Sequence, residues 1–116
     1  MTKIINILII YTGGTIGMVR DYETNVLKVL DFNYLKNCIP ELNLLNCKIN
    51  VVSLNKPIDS SNMDIKYWVE IVEIIENNYM NTDGFVVLHG SDTMSYTASA
   101  ISFMLENLSK PIIFTG

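Results

Sequence analysis

The chain has 116 residues, 49% hydrophobic and 17% charged, which suits one small domain with a core and excludes a disordered segment. A net charge of −4 argues against nucleic acid and anionic membrane as partners. Cys38 and Cys47 are too few for a disulfide framework or a zinc site and read as reduced thiols.

Ile4 to Tyr11 is a near-continuous aliphatic run, the mark of a strand covered on both faces. After Lys3 it imitates a short signal peptide. No small-residue cleavage site follows, so the expectation is mature, cytoplasmic protein. No apolar run approaches the length of a membrane span. Thr12-Gly13-Gly14-Thr15-Ile16-Gly17 is a sharp turn, and Arg20 to Lys28, which contains Tyr22 and Asn25, reads as an exposed loop. Phe32 to Leu44 is a short helix interrupted by Pro40. Lys48 to Leu54 reads as a strand, and Pro57 stops it.

Asp59-Ser60-Ser61-Asn62 is rich in residues that cap helix N-termini. Asp64 to Met80 follows as a helix, because Ile65, Trp68, Val69, Val72, Ile75 and Tyr79 recur at three- and four-residue spacing. Thr82-Asp83-Gly84 is a turn and Phe85 to Leu88 a buried strand. Asp92 stands where it can cap a helix from Thr93 to Leu108, striped by Met94, Ala98, Ile101, Leu105 and Leu108. Pro111 blocks that helix, and Ile112 to Thr115 begins another strand. This order predicts an α/β fold: a three-layer α/β/α arrangement with a mainly parallel sheet and right-handed crossovers. Two firm helices and one weak one are too few to cover both faces. The expectation is therefore a single incomplete amino-terminal domain, residues 1–116, of a longer protein.

Two apolar strands each end in glycine with threonine or serine, which points to one site at the carboxyl edge of a parallel sheet. The first glycine cluster lacks the Gly-x-Gly-x-x-Gly and Gly-Lys-Ser/Thr spacings of nucleotide loops. Two readings of it stay open: a plain βα turn whose hydroxyls satisfy backbone, or a threonine nucleophile on a turn where glycine lets backbone approach a substrate carbonyl. His89, Ser91 and Asp92 are too close in sequence for a hydrolase triad, so His89 reads as a packed or hydrogen-bonded histidine rather than a base. Asp92, Ser60 and Ser61 each have helix capping as an ordinary explanation. Their common location after strands is what favours a site.

These residues resemble the bacterial-type L-asparaginase (asparaginase/glutaminase) family. Its Thr-Gly-Gly-Thr-Ile motif is matched by Thr12 to Ile16, and its His-Gly-Thr-Asp-Thr-Met motif by His89 to Met94 with one change. Asp59-Ser60-Ser61-Asn62-Met63 resembles the family's substrate-carboxylate loop, and Ser95 to Leu108 with Lys110-Pro111 looks like the cytosolic type I branch. The resemblance implies hydrolysis of L-asparagine, or L-glutamine, through a threonine acyl-enzyme, with no metal or organic cofactor and a homo-oligomer when full length. By that likeness Thr15 is the nucleophile and Tyr22, Ser91 and Asp92 are catalytic. Ser60 and Ser61 bind substrate with Ser91 and Asp92, and Asp92 pairs with the α-ammonium.

The chain departs from the family in four places. Ser91 stands for a threonine. The usual loop tyrosine falls near Asn25, with Tyr22 close by as a substitute. Asn62 replaces an aspartate. The chain also ends before the family's catalytic lysine and carboxyl-terminal domain, so the expectation is that it is inactive alone. Three other readings compete. A tRNA-linked amidotransferase subunit shares these motifs but carries an extra domain ahead of them. A non-catalytic amino-acid-binding module would fit a decayed half. A nucleotide-binding domain would need the phosphate spacing that the turn lacks.

Overall fold

The computed structural model describes residues 4–13, 18–20, 22–25, 27–29, 40–54, 63–105 and 108–116. Strands β1 (Ile5–Tyr11), β4 (Cys47–Ser53), β5 (Gly84–Leu88) and β6 (Ile112–Thr115) form one parallel sheet in the order β4-β1-β5-β6. The parallel α/β architecture read from the alternation of apolar runs and helical stripes is therefore the observed one.

Between β1 and β4 the expected loop is exposed at residues 22–25, and its two ends belong to a hairpin. Strands β2 (Met18–Arg20) and β3 (Leu27–Val29) pair antiparallel. Three-residue strands hold no alternation long enough to notice. Asn25 sits between them at φ 59°, a left-handed conformation that asparagine tolerates better than most residues. The weak helix Phe32 to Leu44 lies mostly outside the described residues, and its described end, Pro40–Leu44, is a 3-10 turn.

Helix α1 (Ile65–Asn78) buries Ile71, Val72 and Ile75; of the stripe read from the sequence Val72 and Ile75 are buried, whereas Ile65 and Val69 are exposed and Ile71, outside that stripe, takes a core place. Helix α2 (Met94–Met104) buries Thr97 and Ile101. Both pack on the face of the sheet formed by Leu8, Ile10, Phe85 and Val87, and Leu54 and Leu105 close that core. Full burial of each such aliphatic side chain contributes about 1.5–3 kcal/mol, which makes this contact the main cohesive element. Alternation turns Val51 and Ile113 to the opposite face, where they are 38% and 57% exposed.

The second helix is shorter than its stripe. Leu105 turns extended at φ −102° and ψ 126°, and Leu108 is exposed. The Phe85 N–H donates to the Pro111 carbonyl at 2.9 Å, so the chain must leave the helix early to align with β5. Near the end of α1, Tyr79 stacks on Phe85 and its hydroxyl accepts from the Ser109 N–H at 2.8 Å. Lys110 donates to the Tyr79 carbonyl and lies over its ring. Those Ser109 contacts hold the Tyr79 phenol below its ordinary pKa.

Candidate active site

Parallel pairing sets Ser53, Tyr11, Leu88 and Thr115 side by side as the last row of the sheet. The ladder continues one residue further. The Leu54 N–H donates to the Tyr11 carbonyl, Thr12 to Leu88, and His89 to Thr115, at 3.0, 3.1 and 2.9 Å. Every segment singled out for chemistry leaves the sheet from this one edge: Thr12 onward, Leu54 toward Ser60 and Ser61, and His89 toward Asp92.

The strand order adds a sharper placement. From β1 the chain passes to β4 on one side, then returns across β1 to β5 on the other. The order reverses between β1 and β5, and ligands of open α/β sheets bind in the crevice at such a switch point. β1 and β5, the strands that lead into the two glycine-bearing segments, are the neighbours at that point.

The β1 turn starts with a latch. Thr12 is buried, and its hydroxyl donates to the Leu88 carbonyl at 2.8 Å, the same oxygen that accepts its N–H. Gly13 then adopts φ 135°, closed to ordinary side chains. Beside them burial pushes the Tyr11 phenol above its usual pKa. Thr15, Ser60 and Ser61 lie outside the described residues.

The β5 turn is held from behind. His89 is fully buried, and both ring nitrogens are engaged: Nδ1 with the Gly90 carbonyl at 2.6 Å and Nε2 with the Thr97 hydroxyl at 2.8 Å. That matches a hydrogen-bonded histidine rather than a base. The Trp68 indole N–H donates to the same hydroxyl at 2.9 Å. Gly116 packs so closely that a Cβ there would overlap the His89 carbonyl oxygen.

Ser91 and Asp92 are exposed beyond this anchor, in a 3-10 turn. The expectation that Asp92 caps the following helix is corrected. Thr93 occupies the N-cap position, and no side-chain cap bond forms there. The 3-10 turn moves the helix start past Asp92 and leaves its carboxylate off the cap. Among the described residues no side chain engages Ser91 or Asp92. The structure thus joins Ser91 and Asp92 at the carboxyl edge. Tyr22 stands 95% exposed in the β2–β3 hairpin.

Trp68 and Thr97 support the turn and were not singled out as site residues by the sequence reading. Thr97 carried a visible signal: one position from Ala98 and four from Ile101, it places a hydroxyl on an apolar helix face.

At the opposite edge, a polar depression of about 470 Å³ is lined by Asn6, Lys48, Asn50, Met80, Asn81 and Asp83. There the Asn6 N–H donates to Asp83 Oδ2 and the Asp83 N–H to the Asn6 carbonyl, both at 2.7 Å. It lies far from the switch point along the strands. Among the described residues no group of three His, Cys, Asp or Glu side chains gathers, and no helix is long and apolar enough to cross a membrane. Cys47 is a free thiol, and Cys38 lies outside the described residues.

Residues 6–116 match the family described as asparaginase, N-terminal. The chain is 44% identical over 112 residues to L-asparaginase 1 of Escherichia coli (strain K12), covering 96% of this chain and 33% of that protein. It is 45% identical over 114 residues to a glutamyl-tRNA(Gln) amidotransferase subunit of Methanobrevibacter smithii, covering 96% of this chain and 25% of that one. The crystal structure of L-asparaginase I from Vibrio cholerae superposes with a TM-score of 0.82 at 42% identity, covering 98% of this chain and 34% of that one. The chain therefore spans about a third of the length of these two asparaginases.

Proposed function

The chain belongs to the asparaginase family, and on that premise we propose that it is the amino-terminal third of a cytoplasmic, homo-oligomeric amidohydrolase that converts L-asparagine to L-aspartate and ammonia. Thr15 is the nucleophile. Its oxygen bonds to the side-chain amide carbon, the C–N bond breaks, and the nitrogen leaves as ammonia with the hydroxyl proton. Water then cleaves the ester, releasing aspartate and restoring the hydroxyl. Dividing the reaction this way replaces one hard attack on a stable amide with two easier steps.

Asp92 pairs with the substrate α-ammonium, a charge-assisted bond that fixes the amide's orientation. Ser60 and Ser61 hold the α-carboxylate side of the pocket. Ser91 keeps a hydroxyl at the position of the family's threonine and relays the nucleophile's proton, and Tyr22 substitutes for the loop tyrosine. The observation that carries this reading is the edge itself: the strands leading to Thr15 and to Ser91-Asp92 flank the switch point, and no described side chain engages Ser91 or Asp92.

The likeness to the tRNA-linked amidotransferase favours a second reading, in which the same amide chemistry serves amide transfer. One experiment separates the two. Steady-state ammonia release is measured from the complete polypeptide and its Thr15→Ala variant with L-asparagine and with L-glutamine. Release from asparagine that disappears in the variant supports the hydrolase. Release from glutamine alone removes L-asparagine as the substrate and leaves a glutaminase or the amidotransferase, and unchanged release in the variant removes Thr15 as nucleophile.

A further inference from the structure

The hydrogen bonds behind the Gly90-Ser91-Asp92 turn have a direction. The Gly90 carbonyl can only accept, so the His89 Nδ1 that faces it is protonated and donates. The Trp68 indole N–H can only donate, and its partner is the Thr97 oxygen. Thr97 is fully buried, and its other side-chain partner is His89 Nε2. A buried hydroxyl that accepts on one side sends its proton to the remaining partner. In the tautomer that leaves Nε2 bare, the three links run one way: Trp68 to Thr97, Thr97 to His89, His89 to the Gly90 carbonyl.

We propose that Trp68, Thr97 and His89 are positioning residues that fix the Gly90 peptide, and through it the direction in which Ser91 and Asp92 are presented to substrate. Backbone bonds to the neighbouring strands hold this segment as far as Leu88 and His89, and beyond them the turn's own backbone bonds are those of the 3-10 turn Ser91–Thr93 that runs into α2. Beyond that point a side chain also reaches the turn, the His89 imidazole on the Gly90 carbonyl. The relay starts on α1, whose N-cap Asp64 lies three residues after Ser61, and ends one residue before Ser91. It therefore ties the helix that follows Ser60 and Ser61 in the chain to the turn that bears the proposed ammonium partner. Bonds aligned head to tail polarise one another, so the loss of one link weakens the others.

The kinetic consequence rests on the amidohydrolase reading; the tautomer does not. In the ¹⁵N-labelled 116-residue chain, imidazole shifts are expected to show His89 protonated at Nδ1 and bare at Nε2. Thr97→Val keeps the shape and removes two links, whereas Thr97→Ser restores the hydroxyl. In the complete polypeptide Thr97→Val is expected to lower kcat/KM for L-asparagine by about 10- to 100-fold, the scale of a misplaced binding group. It should also shrink the preference for L-asparagine over succinamate, which lacks the α-amino group, and Thr97→Ser should recover both. Lost stability alone would lower both substrates together. If Thr97→Val fails to fold, Trp68→Phe removes only the first link and should shift the preference in the same direction, more weakly. An Nε2-protonated tautomer, or a folded variant with unchanged preference, overturns the relay. Absence of any amidase activity would sink the proposed function and leave the imidazole shifts to decide the relay.

Discussion

At the scale of single residues, the carboxyl edge is built by backbone demands as much as by functional groups. Gly13 takes φ 135°, in a region that is close to glycine-only. It follows Thr12, whose hydroxyl and N–H both bind the Leu88 carbonyl, so the turn cannot relax backward without breaking that latch. Gly13→Ala is expected to destabilise the domain by about 1–3 kcal/mol. Urea unfolding would register this as a lower midpoint at unchanged slope, and an alanine variant with the parent midpoint would show that the turn yields freely. The glycine was legible in the motif, but the latch was not. A threonine at a strand end has many local partners, and only pairing of β1 with β5 selects the Leu88 carbonyl. Asp92 taught the converse: its position beside a helix suggested a cap, and a 3-10 turn that periodicity cannot register displaced it.

At the scale of elements, legibility followed the length of the pattern. The apolar runs of β1 and β5 and the stripe of α1 each repeat often enough to exceed chance, and each is observed within a few residues of its expected bounds. The β2–β3 hairpin and the early end of α2 are decided by pairing and by alignment of Pro111 with β5, which no local window contains. The start of α1 is local, and so testable by one substitution. Asp64 adopts φ −144° and accepts from the Lys66 N–H at 2.9 Å, satisfying one of the helix's free donors. Asp64→Ala is expected to cost about 1 kcal/mol, with Asp64→Asn close to the parent. Thermal unfolding of the three proteins side by side checks it. Equal loss in both variants would mean that charge, rather than the capping acceptor, is what α1 requires.

For the whole molecule, the sheet order places the crevice between β1 and β5 while both described helices cover the same face of the sheet. Val51 and Ile113 remain well exposed on the other face, and the chain spans about a third of the asparaginases it resembles. A threonine hydroxyl is a weak nucleophile until a neighbouring group accepts its proton. Ser91 can pass a proton but has no charge to draw one, and Asp92 is committed in the proposed mechanism to the substrate ammonium. The proposed mechanism therefore takes its remaining acceptor, a lysine by family likeness, from outside these 116 residues. The 116-residue chain alone is therefore expected to release no ammonia from L-asparagine above buffer, even where its circular dichroism reports a folded α/β domain. Release by the isolated chain, abolished by Thr15→Ala, would mean that the carboxyl edge already contains a complete proton path and that the chemical step needs no group from outside these 116 residues.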